Sequence, residues 1–76
     1  HRQSMKRLET RFGELLRELR TKKGLTQAEL GADCNLDRTY ISLLERGIRQ
    51  PTIGTLFKLA EVLDIKPSAI LKQLEN

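Results

Sequence analysis

Residues 26–46, TQAELGADCNLDRTYISLLER, constrain the fold more than any other stretch of the chain. Apolar residues recur at helical spacing on both sides of a break at Asn35. Thr26 and Glu29 match a capping box, in which the hydroxyl takes the Glu29 amide and the Glu29 carboxylate reaches back. A second helix therefore starts at Thr26, with Ala28, Leu30 and Cys34 facing inward. Asn35 suits the turn, because Asn and Asp tolerate positive φ better than other non-glycine residues. Asp37 is the expected N-cap of a third helix that runs to about Arg46, and Gly47 ends it. Tyr40, Ile41 and Leu44 form the apolar side of that helix, while Arg38, Thr39, Ser42 and Leu43 point elsewhere. For two such helices to cross steeply, a small residue must stand where their backbones approach. Gly31 stands there, at a helix-interior cost of roughly 0.5–1 kcal/mol relative to Ala; the alternative is that it is merely tolerated.

The rest of the chain reads as three more helices and no strand. The first spans roughly Lys6 to Lys23, with Leu8, Phe12, Leu15, Leu16 and Leu19 on one face. Lys22 and Lys23 suit the negative end of its dipole, and Gly24 is the expected left-handed residue after it. Gly47-Ile48-Arg49-Gln50-Pro51 has loop composition. Thr52 caps a fourth helix to about Leu63, with Ile53, Leu56, Leu59, Ala60 and Leu63 in register. Asp64 and Ile65 connect to a fifth helix, about 67–75, opened by Pro67 and striped by Ile70, Leu71 and Leu74. There is no repeat and no linker, so residues 1–76 are expected to form one compact all-α domain of five helices. The leading His-Arg-Gln-Ser before Met5 reads as a remnant of a cloning tag, with Met5 the native start.

Composition excludes several function classes. With 76 residues, there is room for one small domain, which buries only about 60% of its unfolded surface. Pooling apolar surface in a dimer is a common remedy. Cys34 is the single cysteine and His1 the single histidine, so neither a disulfide nor a metal cluster can be assembled. Cys34 reads as a small core residue. No apolar run approaches the roughly 18 residues of a membrane helix, and no signal peptide is visible. A cytoplasmic protein of a bacterium or phage is expected. No nucleophile–base pair, metal set or phosphate loop is present, so no enzyme activity and no cofactor are expected. The net charge of +4 and pI near 9.6 fit a nucleic-acid partner without requiring one.

A short helix, a turn and a second helix with polar residues at its start make a helix-turn-helix, whose second helix enters the major groove. Arg38 can make bidentate bonds to guanine, and Thr39 can bond a base edge or meet a thymine methyl. Leu43 lies one turn on and either touches thymine methyls or is an ordinary surface residue. Gln27, with the free backbone N–H groups beside it, can hold a phosphate. Ser42, Arg46 and Arg49 can grip the DNA backbone, and Tyr40 belongs to the core, to a phosphate contact or to both. Arg20 and Glu45 should meet in such a fold and tie the first helix to the third, a structural role. Ile65, Ile70, Leu71 and Leu74 are the candidate dimer surface.

Thr26-Gln27-Ala28-Glu29-Leu30, Gly31, Leu36 through Ile41, Leu44-Glu45-Arg46-Gly47 and Pro51-Thr52 together resemble the lambda repressor/Cro-like, or XRE, family. The likeness extends to Leu56, Leu59-Ala60 and Leu63. Within that family, Leu36-Asp37-Arg38-Thr39-Tyr40-Ile41-Ser42 is most similar to the reading helix of restriction–modification controller proteins. The resemblance implies a lambda repressor-like five-helix fold and a homodimeric transcription regulator on a pseudo-palindromic operator in double-stranded DNA. It also implies Arg38 and Thr39 at bases, Gln27, Tyr40, Ser42, Arg46 and Arg49 near phosphates, and an Arg20–Glu45 bridge. RNA polymerase would be a further partner if the protein activates. Asn35 departs from the glycine that many members carry in the turn. The rival class is a protein-interaction module, antitoxin-like or coactivator-like, built on the same fold.

Overall fold

The computed structural model describes residues 6–75, so the tetrapeptide before Met5 lies outside the described residues. Five helices follow one another: α1 (Leu8–Lys22), α2 (Gln27–Cys34), α3 (Arg38–Glu45), α4 (Ile53–Val62) and α5 (Pro67–Leu74). No strand occurs among the described residues. The five-helix expectation holds, with ends shifted by a residue or two.

Local chemistry sets these ends. The Glu29 N–H donates to Thr26 Oγ1 at 3.0 Å, and the Thr26 N–H donates to Glu29 Oε1 at 2.8 Å, completing the capping box. The Thr55 N–H donates to Thr52 Oγ1 at 3.1 Å, and Pro67 opens α5. Asp37 occupies the N-cap position of α3 as expected, without a side-chain capping bond. The other ends of α1 to α4 share a single device. Gly24, Asn35, Gly47 and Asp64 each take a left-handed conformation, with φ from 58 to 77°. Each donates its N–H three residues back, and the next residue donates five back, as in Asn35 to Ala32 (3.2 Å) and Leu36 to Gly31 (2.7 Å). This is the Schellman turn, which satisfies carbonyls the helix would otherwise leave open.

The core gathers Phe12, Leu15 and Leu16 of α1, Leu30 and Cys34 of α2, and Ile41 and Leu44 of α3. Leu56, Leu59, Ala60 and Leu63 join them from the α4 region, with Ile70 of α5. α3 packs on both α1 and α2, α4 on α2 and α5, and α5 closes back on α1. Three expected inward residues lie outside. Ala28 is exposed because two residues place it about 200° round the helix from Leu30. Leu8 and Ile53 are 49% and 77% exposed. Each is the first residue of its helix, and helical side chains lean toward the N-terminus, so both overhang the end of the bundle.

Two glycines decide how closely the helices meet. A Cβ on Gly31 would stand 2.6 Å from the Leu36 carbonyl oxygen, so this glycine makes room for the turn itself. A Cβ on Gly13 would stand 2.5 Å from the carbonyl oxygens of both Leu44 and Glu45. α1 thus touches the end of α3 backbone to backbone, a contact the sequence reading did not anticipate. Gly13→Ala should therefore destabilise by about 1–3 kcal/mol, the usual cost of overpacking. Gly54→Ala, where the nearest atom is Thr52 Oγ1 at 3.9 Å, should be neutral or stabilising by up to about 1 kcal/mol. Thermal unfolding of the two variants checks the contrast, and equal effects would refute it.

Candidate nucleic-acid interface

The α2–turn–α3 unit is held from behind by one ion pair. Arg20 of α1 donates from Nε to Glu45 Oε2 at 2.5 Å and from Nη2 to Glu45 Oε1 at 3.0 Å. Its Nη1 donates to the Leu25 carbonyl at 2.8 Å. The two side chains are only 11% and 3% exposed. The hydrogen bonds to Glu45 hold the guanidinium proton more tightly than usual, against the opposing effect of desolvation. The bridge expected from sequence is therefore present, and its fork geometry is the bidentate arrangement that only Arg provides. Glu45 has a second partner that sequence reasoning missed: Gln27 Nε2 donates to Glu45 Oε1 at 3.0 Å. The two residues are 18 apart in the chain, and no local pattern connects them.

In front of this brace lies the expected reading edge. Arg38 and Thr39, in the first turn of α3, are exposed, and among the described residues neither side chain is engaged in a hydrogen bond or ion pair. Leu43 is half-buried and is not among the half-buried residues packed on the core, whereas Tyr40 is. Tyr40 thus contributes to the core, and its ring also lies under the Arg49 guanidinium, 6.0 Å from the ring centroid. Arg46 donates from Nε to Ser42 Oγ at 3.2 Å. The structure accordingly brings Tyr40 together with Arg49 and Ser42 together with Arg46, and it places Gln27 against Glu45. Three of the five residues assigned to the DNA backbone are thus hydrogen-bonded in pairs or to the brace before any ligand arrives.

Cys34 is buried, and its Sγ donates to the Lys58 carbonyl at 3.8 Å. Burial, and then the neighbouring Asp33 charge, push the thiol up, which keeps it protonated. Among the described residues, no three His, Cys, Asp or Glu side chains are grouped to hold a metal. No helix of the described residues is long and apolar enough to cross a membrane.

The candidate dimer residues divide. Leu71 is half exposed, at 50%, and Ile65 and Leu74 lie half-buried against the core. Ile70 is 2% exposed and closes the monomer core, so it offers no surface to a partner and leaves the expected set. Phe57 of α4 lies outside the expected set and is 56% exposed. It follows Leu56 directly and stands off the Leu56–Leu59–Ala60–Leu63 stripe, which was the available signal.

With this geometry established, the comparisons with known proteins define the class. Residues 16–70 match the helix-turn-helix family HTH_3, and the chain belongs to that family. It is 36% identical over 61 residues to the control protein C.BamHI of Bacillus amyloliquefaciens, spanning 79% of this chain and 75% of that protein. The crystal structure of the restriction-modification controller protein C.AhdI from Aeromonas hydrophila superposes with a TM-score of 0.79 at 45% identity, covering 82% of this chain and 94% of that one. The restriction-modification controller protein C.Esp1396I, crystallised as a tetramer in complex with its natural 35 base-pair operator, superposes with a TM-score of 0.80 at 33% identity over 91% of each chain.

Removing one member of a buried ion pair leaves the other charge uncompensated, at about 3–5 kcal/mol. Glu45→Ala strips all three donors of their acceptor at once. It should bring this small domain close to unfolding at 25 °C, read as a collapse of the cooperative thermal transition. A midpoint within a few degrees of the parent would contradict the brace.

Proposed function

We propose that this chain is a sequence-specific DNA-binding transcription regulator of the restriction–modification controller kind, acting as a homodimer on a pseudo-palindromic operator. The observation that carries this reading is the reading edge of α3. Arg38 and Thr39 stand exposed at its N-terminal end while the same helix is clamped from behind by Arg20 and Glu45. Such an arrangement offers base-contacting groups on a rigid support, as direct readout in the major groove requires. Arg38 and Thr39 read bases, with Leu43 facing thymine methyls. Gln27, Tyr40, Ser42, Arg46 and Arg49 meet the DNA backbone. Similarity to C.BamHI, C.AhdI and C.Esp1396I supports the controller assignment.

The whole chain acts as one domain in this reading. α5, through Leu71 with Ile65 and Leu74, joins the exposed Phe57 of α4 in supplying the dimer surface. The protein catalyses no reaction and works in the cytoplasm of a bacterium or phage. Dimer symmetry then sets half-sites about 34–36 Å apart, or a multiple of that.

Selection of bound sequences from a random duplex pool, with stoichiometry measured, tests the proposal. A palindromic site bound by two chains is expected; an unenriched pool, or binding insensitive to salt, would defeat it in favour of a protein-binding role. On the selected site, Arg38→Ala should cost about 1–3 kcal/mol and relax preference at one base position. Arg49→Ala should instead weaken all sequences alike and reduce the log–log salt slope by about 1. Leu71→Glu should shift the free protein to monomer in analytical ultracentrifugation and abolish two-chain occupancy; an unchanged dimer would place the interface elsewhere.

A further inference from the structure

We propose that Glu45 is a positioning residue for DNA binding, acting through Gln27. The inference rests on the DNA-binding reading above and adds to it a way in which the structural brace sets the polarity of a phosphate contact. A glutamine side chain carries an acceptor and a donor on the same planar group, and either can face outward. Only the donor suits a phosphate oxygen. At Gln27 the choice is made by its neighbour. A carboxylate only accepts, so the group facing Glu45 Oε1 at 3.0 Å must be the Gln27 NH2. One of its two hydrogens is spent on Glu45, and the other remains for a ligand. Arg20 holds Glu45 in place through both oxygens, so the amide cannot draw the carboxylate aside and turn over. Gln27 is half-buried in the first turn of α2, the helix that crosses the DNA backbone in this motif. Its free N–H thus enters the complex already oriented.

The test is a titration of the chain, and of variants at Gln27 and Glu45, against the duplex selected from the random pool. Affinities are read at a temperature where circular dichroism shows every variant folded. Gln27→Ala should weaken binding roughly tenfold, the lower range for a hydrogen bond to a charged group. The salt slope should stay unchanged, because a neutral donor releases no counterion. Gln27→Lys, which can donate to Glu45 and to phosphate together, should restore affinity and steepen the slope by about one. Glu45→Gln should weaken binding several-fold more when Gln27 is present than in the Gln27→Ala background, where only its support of α3 is lost. Equal losses in both backgrounds would show that Glu45 acts only by supporting α3, and would overturn the proposal. Unchanged affinity in Gln27→Ala would do the same.

Should Glu45→Gln fail to fold, the parent protein still decides the matter by NMR. The Gln27 side-chain NH2 should show the heteronuclear NOE of an ordered group, in contrast to the exposed Gln73, and should shift on addition of the duplex. A Gln27 signal as mobile as that of Gln73 would overturn the proposal. If the parent selects no duplex, the DNA-binding reading fails first. If it does and Gln27→Ala is silent, only this inference fails.

Discussion

The buried pair of Arg20 and Glu45 is the constraint on which the rest of this structure depends. It joins α1 to the end of α3, and through Gln27 it reaches the first turn of α2. All three guanidinium nitrogens are used, the third on the Leu25 carbonyl just before α2 begins. Desolvating two charges is expensive, and such a pair is a poor source of net stability compared with apolar packing of equal size. Its value is directional. Apolar contacts tolerate small rotations of one helix over another, whereas a two-point hydrogen-bonded fork does not. A bundle with a largely aliphatic core and 4% aromatic content has few other means of fixing the orientation of a helix of eight residues.

Close backbone approach complements this polar tie. Gly13 lets α1 lie against the last carbonyls of α3, and Gly31 lets the turn fold over α2. The two contacts act at opposite ends of α3, with the ion pair alongside. α3 is thereby located by three independent restraints, none of which uses its outward face.

Much of this was legible in the sequence because helix ends are decided locally. Thr26 with Glu29, Thr52, Pro67, Gly24, Gly47 and Asn35 each carry their own chemistry within a few residues, and each does what its type suggests. Asp64 follows the same logic, yet its short turn between apolar neighbours carries no local signal of it. What could not be read depends on three dimensions. Gly13 looks like an ordinary helix residue until α3 is laid against it. Ile70 and Leu71 are adjacent in one stripe, and only packing against α1 and α4 decides that the first is core and the second surface. The bond from Gln27 to Glu45 requires the turn angle to be known before it can be drawn. The Arg20–Glu45 contact is equally remote, but the family resemblance carried it.

The division of α3 into a committed back and an unengaged front has an evolutionary consequence. Arg38 and Thr39 take no part in the hydrogen bonds or ion pairs among the described residues, so exchanging them disturbs little that the fold needs. Surface changes away from buried networks usually alter stability by less than about 0.5 kcal/mol. In the proposed reading, a lineage can therefore drift to a new target sequence by substitutions on one helical face without passing through unstable intermediates. Recognition is free to diverge while the scaffold stays constant.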